Sequence, residues 1–495
     1  MQIRAVGDRQ PAWVMRSTKK GGAGAGTHDA QKTPAKAGKA NDLSMRHEAM
    51  KRQAATQKGL DRRFKDLLLE RVPDPRTPGN VVHSMQAILY AVIFAVVSGT
   101  QTLRGVEDRT EQLRPKAKKK MGIAEKIADN TIGNVLPRVS PEALRPCLVR
   151  LVKAEHRRGV LKPTVLPIGT VAIDGKNLGT LRWHDMCRVL NLEPDEATPQ
   201  QVKNLMAEAY PIAQFCQPKK GKPYALVRAH TVTLTSSDSA VCVYQRAILG
   251  NTNEIGSMPA LIGELFETYG KTSLFRMITT DAGNTSLAAA DAIIACDRNY
   301  FLQIKSEHGH LYHHAVRVLG EMAGTPPGWF WQERQKGKNV TYRVWQYDLS
   351  KQPRRDWNHT RQFVRVERTV EDPATGQSIV GNRYYVTDQT TQELPAKACG
   401  KNSRAHWRCE NETHWTADAE IEEDQRRLTL SRHPVGIFVA SLLRRIAVNI
   451  LAVARRMSRL GDREETPSWR QVCEHFLLEY CRSILNTEAF DADIS

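Results

Sequence analysis

Three observations predict an α/β protein built on a mixed sheet. Residues 164–327 run strand, strand, strand, helix, strand, helix, strand, with the second and third strands joined by the turn-rich "TSSDS" as an antiparallel pair. Two of these strands, "TVAID" and "MITTD", are short apolar runs that end in Asp with Gly close behind. Helical periodicity dominates both flanks, residues 60–163 and those after 394.

Bulk properties narrow the classes. At 495 residues and 41% hydrophobic content the chain exceeds one ordinary domain and can build real cores. Its 72 Lys and Arg against 53 Asp and Glu leave a net charge of +19, which points first to a polyanion, above all nucleic acid. Nine cysteines without a CxxC pair argue against a disulfide framework or a zinc ribbon and for a reducing compartment, so a cytoplasmic protein is expected. The apolar run at 87–99 is too short to span a bilayer and reads as a buried helix; the N-terminus lacks a secretory layout, and no membrane partner is expected.

Taken in order, residues 1–59 carry twelve Lys or Arg against four acids in low-complexity sequence, read as a disordered basic arm. Residues 60–163 read as a helical region, expected to bind DNA: "RRFKDLLLERV", a Pro-rich break, the buried helix, "LRGVEDRTEQL" and the basic "RPKAKKK". The following "GIAEKIADNTIGNVLPRVS" admits a helix-turn-helix or a plain helical pair, divided at Asp129 and Asn130. Residues 164–327 hold the strands "TVAID", "YALVRAHTVTL" and "AVCVYQRAIL", the helix "SMPALIGELFETYG", the strand "SLFRMITTDAG", the helix "NTSLAAADAIIACDRN" and the strand "YFLQIK". Residues 328–390, rich in Trp, Arg and Thr, read as a β-rich insertion with one wet, basic face. Helices return over 391–460 and close the chain at 461–495.

The strand after the first helix crosses back right-handedly and can lie parallel beside the first strand. Asp174 and Asp281 then stand side by side at the carboxyl edge, where open sheets bind ligands. Two facing carboxylates repel unless positive charge lies between them, and Mg²⁺ or Mn²⁺ is the economical solution. Two such ions about 3.5–4 Å apart can serve phosphodiester chemistry. A third acid is expected from "SRAHWRCENETHWTAD", where His406, Glu410 and His414 share a helical face and Glu412 points elsewhere. Other readings are weaker: Asp-Gly is a common turn pair. "GTVAIDGKN" has five residues between its glycines and Asn after its Lys, so it is no phosphate loop. "EHGHLYHH", with His308, His310, His313 and His314, lacks a matching Cys or acid pattern for a metal and reads as a solvated or DNA-facing segment.

Six ordered blocks carry a resemblance: "VPDPRTPGNVVHSMQAILYAVIFAVVSG", "VAIDGKNL", "GNTNEIGSMPALIGEL", "ITTDAGN", "NRYYVTD" and "RAHWRCENETHWTAD" followed by "EED". Over roughly residues 60–450 the chain resembles DDE transposases of bacterial insertion sequences, in the H-repeat-associated subgroup. The resemblance implies an RNase H-like core, its mixed sheet flanked by helices, in which Asp174, Asp281 and Glu410 bind two Mg²⁺ (or Mn²⁺) ions. It implies cutting and joining of double-stranded DNA, element ends to target, by a homodimer. The wider pattern has Arg four residues before the Glu and Lys seven after it, where this chain has His406 and Ala417, with Asp418 next. Residues 182–223 are longer than the family usually has there. Candidate DNA contacts are Lys176, Arg404, His406 and Arg408 near the carboxylates, and Arg114, Lys116, Lys118, Lys119 and Lys120 in the basic run. Two alternatives stay open: a nuclease of the same fold that only hydrolyses, and a non-catalytic DNA-binding protein derived from a transposase.

Overall fold

Among the described residues, helix over 58–67 and five further short to medium helices precede the first strand. The structure, a computed structural model, describes residues 58–79, 81–350, 353–421, 423, 429–457 and 467–481. All but the last two residues of the basic arm, and much of the 461–495 segment, lie outside them. Helix α1 (Met85–Val97) starts on Ser84, whose hydroxyl accepts from the Ala87 amide at 3.1 Å, and every residue in it but Gln86 is buried. It is the buried helix the apolar run predicts. Helices α2 (Leu103–Gln112), α3 (Pro115–Met121), α4 (Asp129–Val135) and α5 (Pro141–Arg157) follow. The stretch 122–128 is not helical, so the region that admits a helix pair holds one helix and a 3₁₀ turn containing Pro137. The start of α4 is capped from outside, by the Glu107 carboxylate accepting from the Asp129 amide at 3.2 Å.

Strand β1 (Thr170–Arg182) is followed by α6 (Trp183–Val189), α7 (Pro199–Ala209), β2 (Ala213–Cys216), β3 (Tyr224–Leu234) and β4 (Val241–Ala247). Then come α8 (Glu254–Tyr269), β5 (Met277–Thr280), α9 (Leu287–Ala295), β6 (Asn299–Ile304) and α10 (Gly309–Glu321). Strands β7 (Trp329–Gln335), β8 (Lys338–Asp348), β9 (Gln362–Glu371) and β10 (Ser378–Thr387) lead into α11 (Ala396–His406), a π-helical turn (Cys409–His414) and α12 (Trp415–Ala419). The described chain ends with α13 (Pro434–Met457) and α14 (Trp469–Tyr480).

Among the described residues ten strands make one sheet, ordered β2-β3-β1-β5-β6-β10-β9-β8-β7, with β4 also paired to β3. The β1–β5 and β5–β6 pairs are parallel and the rest antiparallel, so the sheet is mixed, as predicted. The order β4-β3-β1-β5-β6, with helices on both faces, agrees with the RNase H-like fold. The stretch 328–390 is part of this sheet, because β10 pairs with β6 over Thr387–Tyr384 against Phe301–Ile304. A strand's own pattern reports its faces and is silent about its neighbour. Residues 182–223 supply α6, α7 and the edge strand β2.

Apolar residues of the N-terminal helices, α13 and β3 form one core, and those of β1, β5 and β6 with α8, α9 and α10 form a second. A third lies beneath α11. Helix α13 is long and apolar enough to cross a membrane, yet its most apolar stretch is wholly buried inside the protein.

Candidate active site

The sheet opens where β1 and β5 part. They pair in parallel only through Thr170–Ile173 against Met277–Thr280, and the next residue on each is an aspartate. Past that point β1 continues to Arg182 along β3, whereas β5 stops. It stops because the Asp281 carboxylate caps the following 3₁₀ turn, accepting from the Asn284 amide at 3.1 Å and its side-chain NH₂ at 2.8 Å. Asp174 and Asp281 thus stand at neighbouring places on the carboxyl edge, in the crevice that open α/β sheets use for ligands.

The Asp-Gly pair at 174–175 makes no turn, since antiparallel pairing with β3 carries the strand through it. Gly175 serves another purpose. A Cβ there would lie 2.4 Å from Cδ and 2.6 Å from both carboxylate oxygens of Glu254, so only glycine admits that carboxylate as it stands. Glu254 is a fourth acid at this edge, and sequence reasoning missed it. The signal was available: β4 runs in the same direction as β1, so the helix that follows it begins at the same edge. Asn253 caps that helix, its side-chain oxygen accepting from the Gly256 amide at 2.7 Å.

Glu410 lies in the π-helical turn, whose wider winding breaks the face it was expected to share with His406 and His414. The two histidines are buried and Glu410 is exposed. His406, 5% exposed, meets the Thr279 hydroxyl through Nδ1 at 2.9 Å. His414 Nδ1 lies 3.3 Å from Asp174 Oδ2. Although Glu410 is exposed as a residue, partial desolvation of its carboxyl raises it above its ordinary range, the Asp174 and Asp281 charges add to that, and Arg383 opposes them. Glu254 is raised as well, by burial first, with Arg228 at 3.9 Å opposing and the two aspartates reinforcing. Burial lowers both imidazoles, against the pull of Asp174. On β3 the fully buried His230, held by the Ser257 hydroxyl at 2.7 Å, is lowered by burial to about 4.

The edge is therefore carboxylate-rich, and its oxygen donors are of the kind hard divalent cations take. Among the described residues no three His, Cys, Asp or Glu side chains are arranged to hold a metal ion as they stand, the His308–His314 segment included. At this edge His414 faces Asp174, and Asn284 engages Asp281.

Three expected DNA contacts turn inward. Lys176, 12% exposed, bridges Asp418 Oδ1 and Glu423 Oε2, each at 2.7 Å. Arg408 donates to the carbonyls of Thr235, Ser237 and Asp238 and pairs with Glu412 at 2.7 Å. His406 is buried against β5. These three side chains are held by the fold and do not project as free phosphate contacts. Arg404 remains partly exposed, pairing with Glu333 at 3.0 Å. Arg114 just before α3, and Lys116, Lys119 and Lys120 on it, are exposed, and Lys118 is half-buried. Arg114 donates to the Leu478 carbonyl, and Lys120 pairs with Asp61.

Comparison with known proteins agrees with the sequence blocks. A family model described as DDE_Tnp_1-associated matches residues 67–152, the helical region before the sheet. The chain is 23% identical over 402 residues to "Putative transposase YncI" of Escherichia coli O157:H7, covering 77% of this chain and 85% of that protein. It is 22% identical over 410 residues to "H repeat-associated putative transposase YhhI" of Escherichia coli strain K12, covering 77% of this chain and 88% of that protein.

Proposed function

We propose that this relative of the DDE-type insertion-sequence transposases cuts and joins DNA ends, with Asp174, Asp281 and Glu410 as its catalytic carboxylates. The observation that carries the reading is the β1–β5 register, which sets two aspartates together at a sheet edge; their charges add to the desolvation that raises the Glu410 carboxyl. These three side chains would hold Mg²⁺ or Mn²⁺, two ions in all, with Glu254 beside them. Bound there, the ions supply charge stabilisation to an in-line displacement at phosphorus.

The chain's own groups do the rest. In the first step a water oxygen bonds to phosphorus at the element end while the bond to the 3′ oxygen breaks, and that oxygen leaves with a proton as a free 3′-hydroxyl. In the second step this hydroxyl attacks a target phosphate, expelling another 3′ oxygen, so the number of phosphodiester bonds is conserved. His414, 3.3 Å from Asp174, orients that carboxylate. Lys176 ties β1 to Asp418 and Glu423 beyond the π turn, and so fixes the distance between the two parts of the site. Helix α3 and the Arg114 that precedes it would offer Arg114, Lys116, Lys118, Lys119 and Lys120 to duplex phosphates, and two copies of the chain would hold the two ends.

One observation favours a second reading. The carboxylates are engaged by His414 and Asn284, as would suit a chain that binds DNA without cutting it. A cell assay separates the two. A plasmid carries this gene with several hundred bases of its native flanks, as wild type or Asp281→Asn, and new junctions are sequenced. Junctions from the wild type alone support the triad. Nicked ends without joining identify a hydrolase, and no junctions from either, despite DNA binding in extract, favour the non-catalytic reading.

A further inference from the structure

A groove runs from Glu410 out over the far half of the sheet. Its volume is about 470 Å³, and its floor is the face made by Val366, Arg368 and Val370 of β9 with Ile379, Gly381 and Arg383 of β10. The register sets Arg368 opposite Gly381 and Arg383 opposite Val366, so the two arginines rise from adjacent strands on one face. Helix α11 covers the same face nearer the core, over Val344, Val364 and Tyr385, and its end supplies Arg404 and, one residue on, Trp407 as the groove wall. The outer mouth is open at Ile379, which is 70% exposed.

Charge separates this groove from its larger neighbour. The cavity of about 700 Å³ on the other side of the Glu410 segment contains Arg408, Arg455 and Arg456, but also Asp238, Glu412 and Glu420. Arg408 and Arg456 there are matched by Glu412 and Asp238. Along the groove the charged residues are Arg368, Arg383, Arg404 and, at its inner end, Glu410; Arg404 is matched by Glu333 at 3.0 Å, so the basic character rests on Arg368 and Arg383. Arg383 Cζ lies 4.3 Å from the Trp407 ring centroid, and Arg404 Cζ lies 3.8 Å from that of Trp331, so both guanidinium groups rest on aromatic rings. A basic, preformed track that leads to a carboxylate cluster complements a polyanion whose reacting phosphate sits at the cluster. From Arg383 to Ile379 the floor extends about 13 Å at ~3.3 Å per residue. That accommodates about four nucleotides at ~3.4 Å rise per strand.

We infer that this groove holds the phosphodiester backbone of the DNA strand next to the bond being cut, with Arg368 and Arg383 contacting its phosphates and Arg404 flanking them. The inference rests on the proposed function, because it supplies that site's substrate track. It makes the far half of the sheet a substrate-contacting surface.

The test is a salt titration of binding, without divalent ions, using the full chain and a fluorescent 40-base-pair DNA duplex with one single-stranded tail. Compared are the wild type, Arg368→Gln/Arg383→Gln, Arg368→Lys/Arg383→Lys and a control, Arg276→Gln/Arg317→Gln, which removes two exposed charges elsewhere. Removing two phosphate contacts should lower the log–log salt slope by about 1.4 to 1.8, at ~0.7 to 0.9 per phosphate. The Lys pair should restore most of it, which a packing role for arginine would not do. The control should stay near the wild-type slope. An unchanged slope in the Gln pair, or an equal fall in the control, overturns the groove assignment while leaving DNA binding intact. A wild type that binds no DNA overturns the groove and the proposed function together.

Discussion

Replacing Arg445 by Met tests the buried charge cluster behind the site. Arg445 is 0% exposed on α13 and donates to Glu423 Oε2 at 2.6 Å, with Glu423 itself 3% exposed. Removing one partner of a buried pair leaves the other charge uncompensated, at about 3–5 kcal/mol. Glu423 keeps Lys176 at 2.7 Å and the Ser441 hydroxyl at 3.0 Å, which places the loss at the lower end of that range. We expect Arg445→Met to lose about 3 kcal/mol, a factor of roughly 150 in the unfolding equilibrium. The double variant Arg445→Met/Glu423→Leu removes the pair together, and Asp418 stays with the two cations left behind, 2.7 Å from Lys176 and facing the buried Arg444. It should lie within about 1 kcal/mol of the wild type, as buried pairs exchanged for apolar groups often do. Urea unfolding at pH 7 of the wild type, both singles and the double, followed by tryptophan fluorescence, measures the coupling. A single variant within about 0.5 kcal/mol of the wild type, or a double equal to the sum of its singles, would refute the reasoning.

The same cluster sets an acid limit. Burial alone would raise the Glu423 carboxyl, but Arg445, Lys176 and Arg444 outweigh it and hold the folded group well below the ordinary range. Its contribution is full above the unfolded value and fades as pH falls from there toward the folded one; unfolding midpoints in urea should drop on acidification below about pH 4.5, less so in Glu423→Gln, and parallel curves would remove Glu423 as the cause. Gly175→Ala puts a Cβ 2.4 Å from Glu254 Cδ and displaces the flexible carboxylate. Stability should change by less than about 1 kcal/mol while junction frequency in cells falls, and unchanged junctions would detach Glu254 from the site. On α3, Lys116→Gln/Lys118→Gln/Lys119→Gln should reduce the salt slope of duplex binding by up to about 2.7, at ~0.9 per phosphate, and an unaltered slope would clear α3 of phosphate contact.

Much of this was legible because the decisive signals are local. An apolar run ending in Asp reads as a strand edge in "TVAID" and "MITTD" alike, and the right-handed crossover rule brings the two together. The observed parallel register confirms the pairing of those strands. What the sequence could not supply are non-local partners. Asp-Gly signals a turn by propensity, and only pairing with β3 overrides it. The basic look of Lys176 and Arg408 said nothing of the buried acids and carbonyls that claim them. Residues 328–390 read as an insertion because alternation reveals faces and hides neighbours, whereas β10 joins the central sheet. Helical spacing grouped His406, Glu410 and His414 on one face, an inference that holds only at 3.6 residues per turn. The π-helical turn departs from it.

That departure bears on how the site works. Asp174 and Asp281 are held by the sheet: β1 is bonded to β3 on one side and, up to Ile173, to β5 on the other, so the two backbones move only if the sheet does. Glu410 is held differently. Its turn is anchored at one end by Arg408, through three β3–β4 loop carbonyls, and at the other by His414 against Asp174. Between these anchors the wider π winding leaves Glu410 exposed while Cys409 and His414 stay buried. On the proposed function, a rigid aspartate pair with a less constrained glutamate would suit a site that accepts a charged strand before closing around one phosphate, because the repulsion that adds to desolvation in raising the Glu410 carboxyl would be relieved by positive charge. The His414 ring is the gauge of that change. It touches Asp174 from the same turn that carries Glu410, so a shift of that turn would alter how Asp174 is oriented.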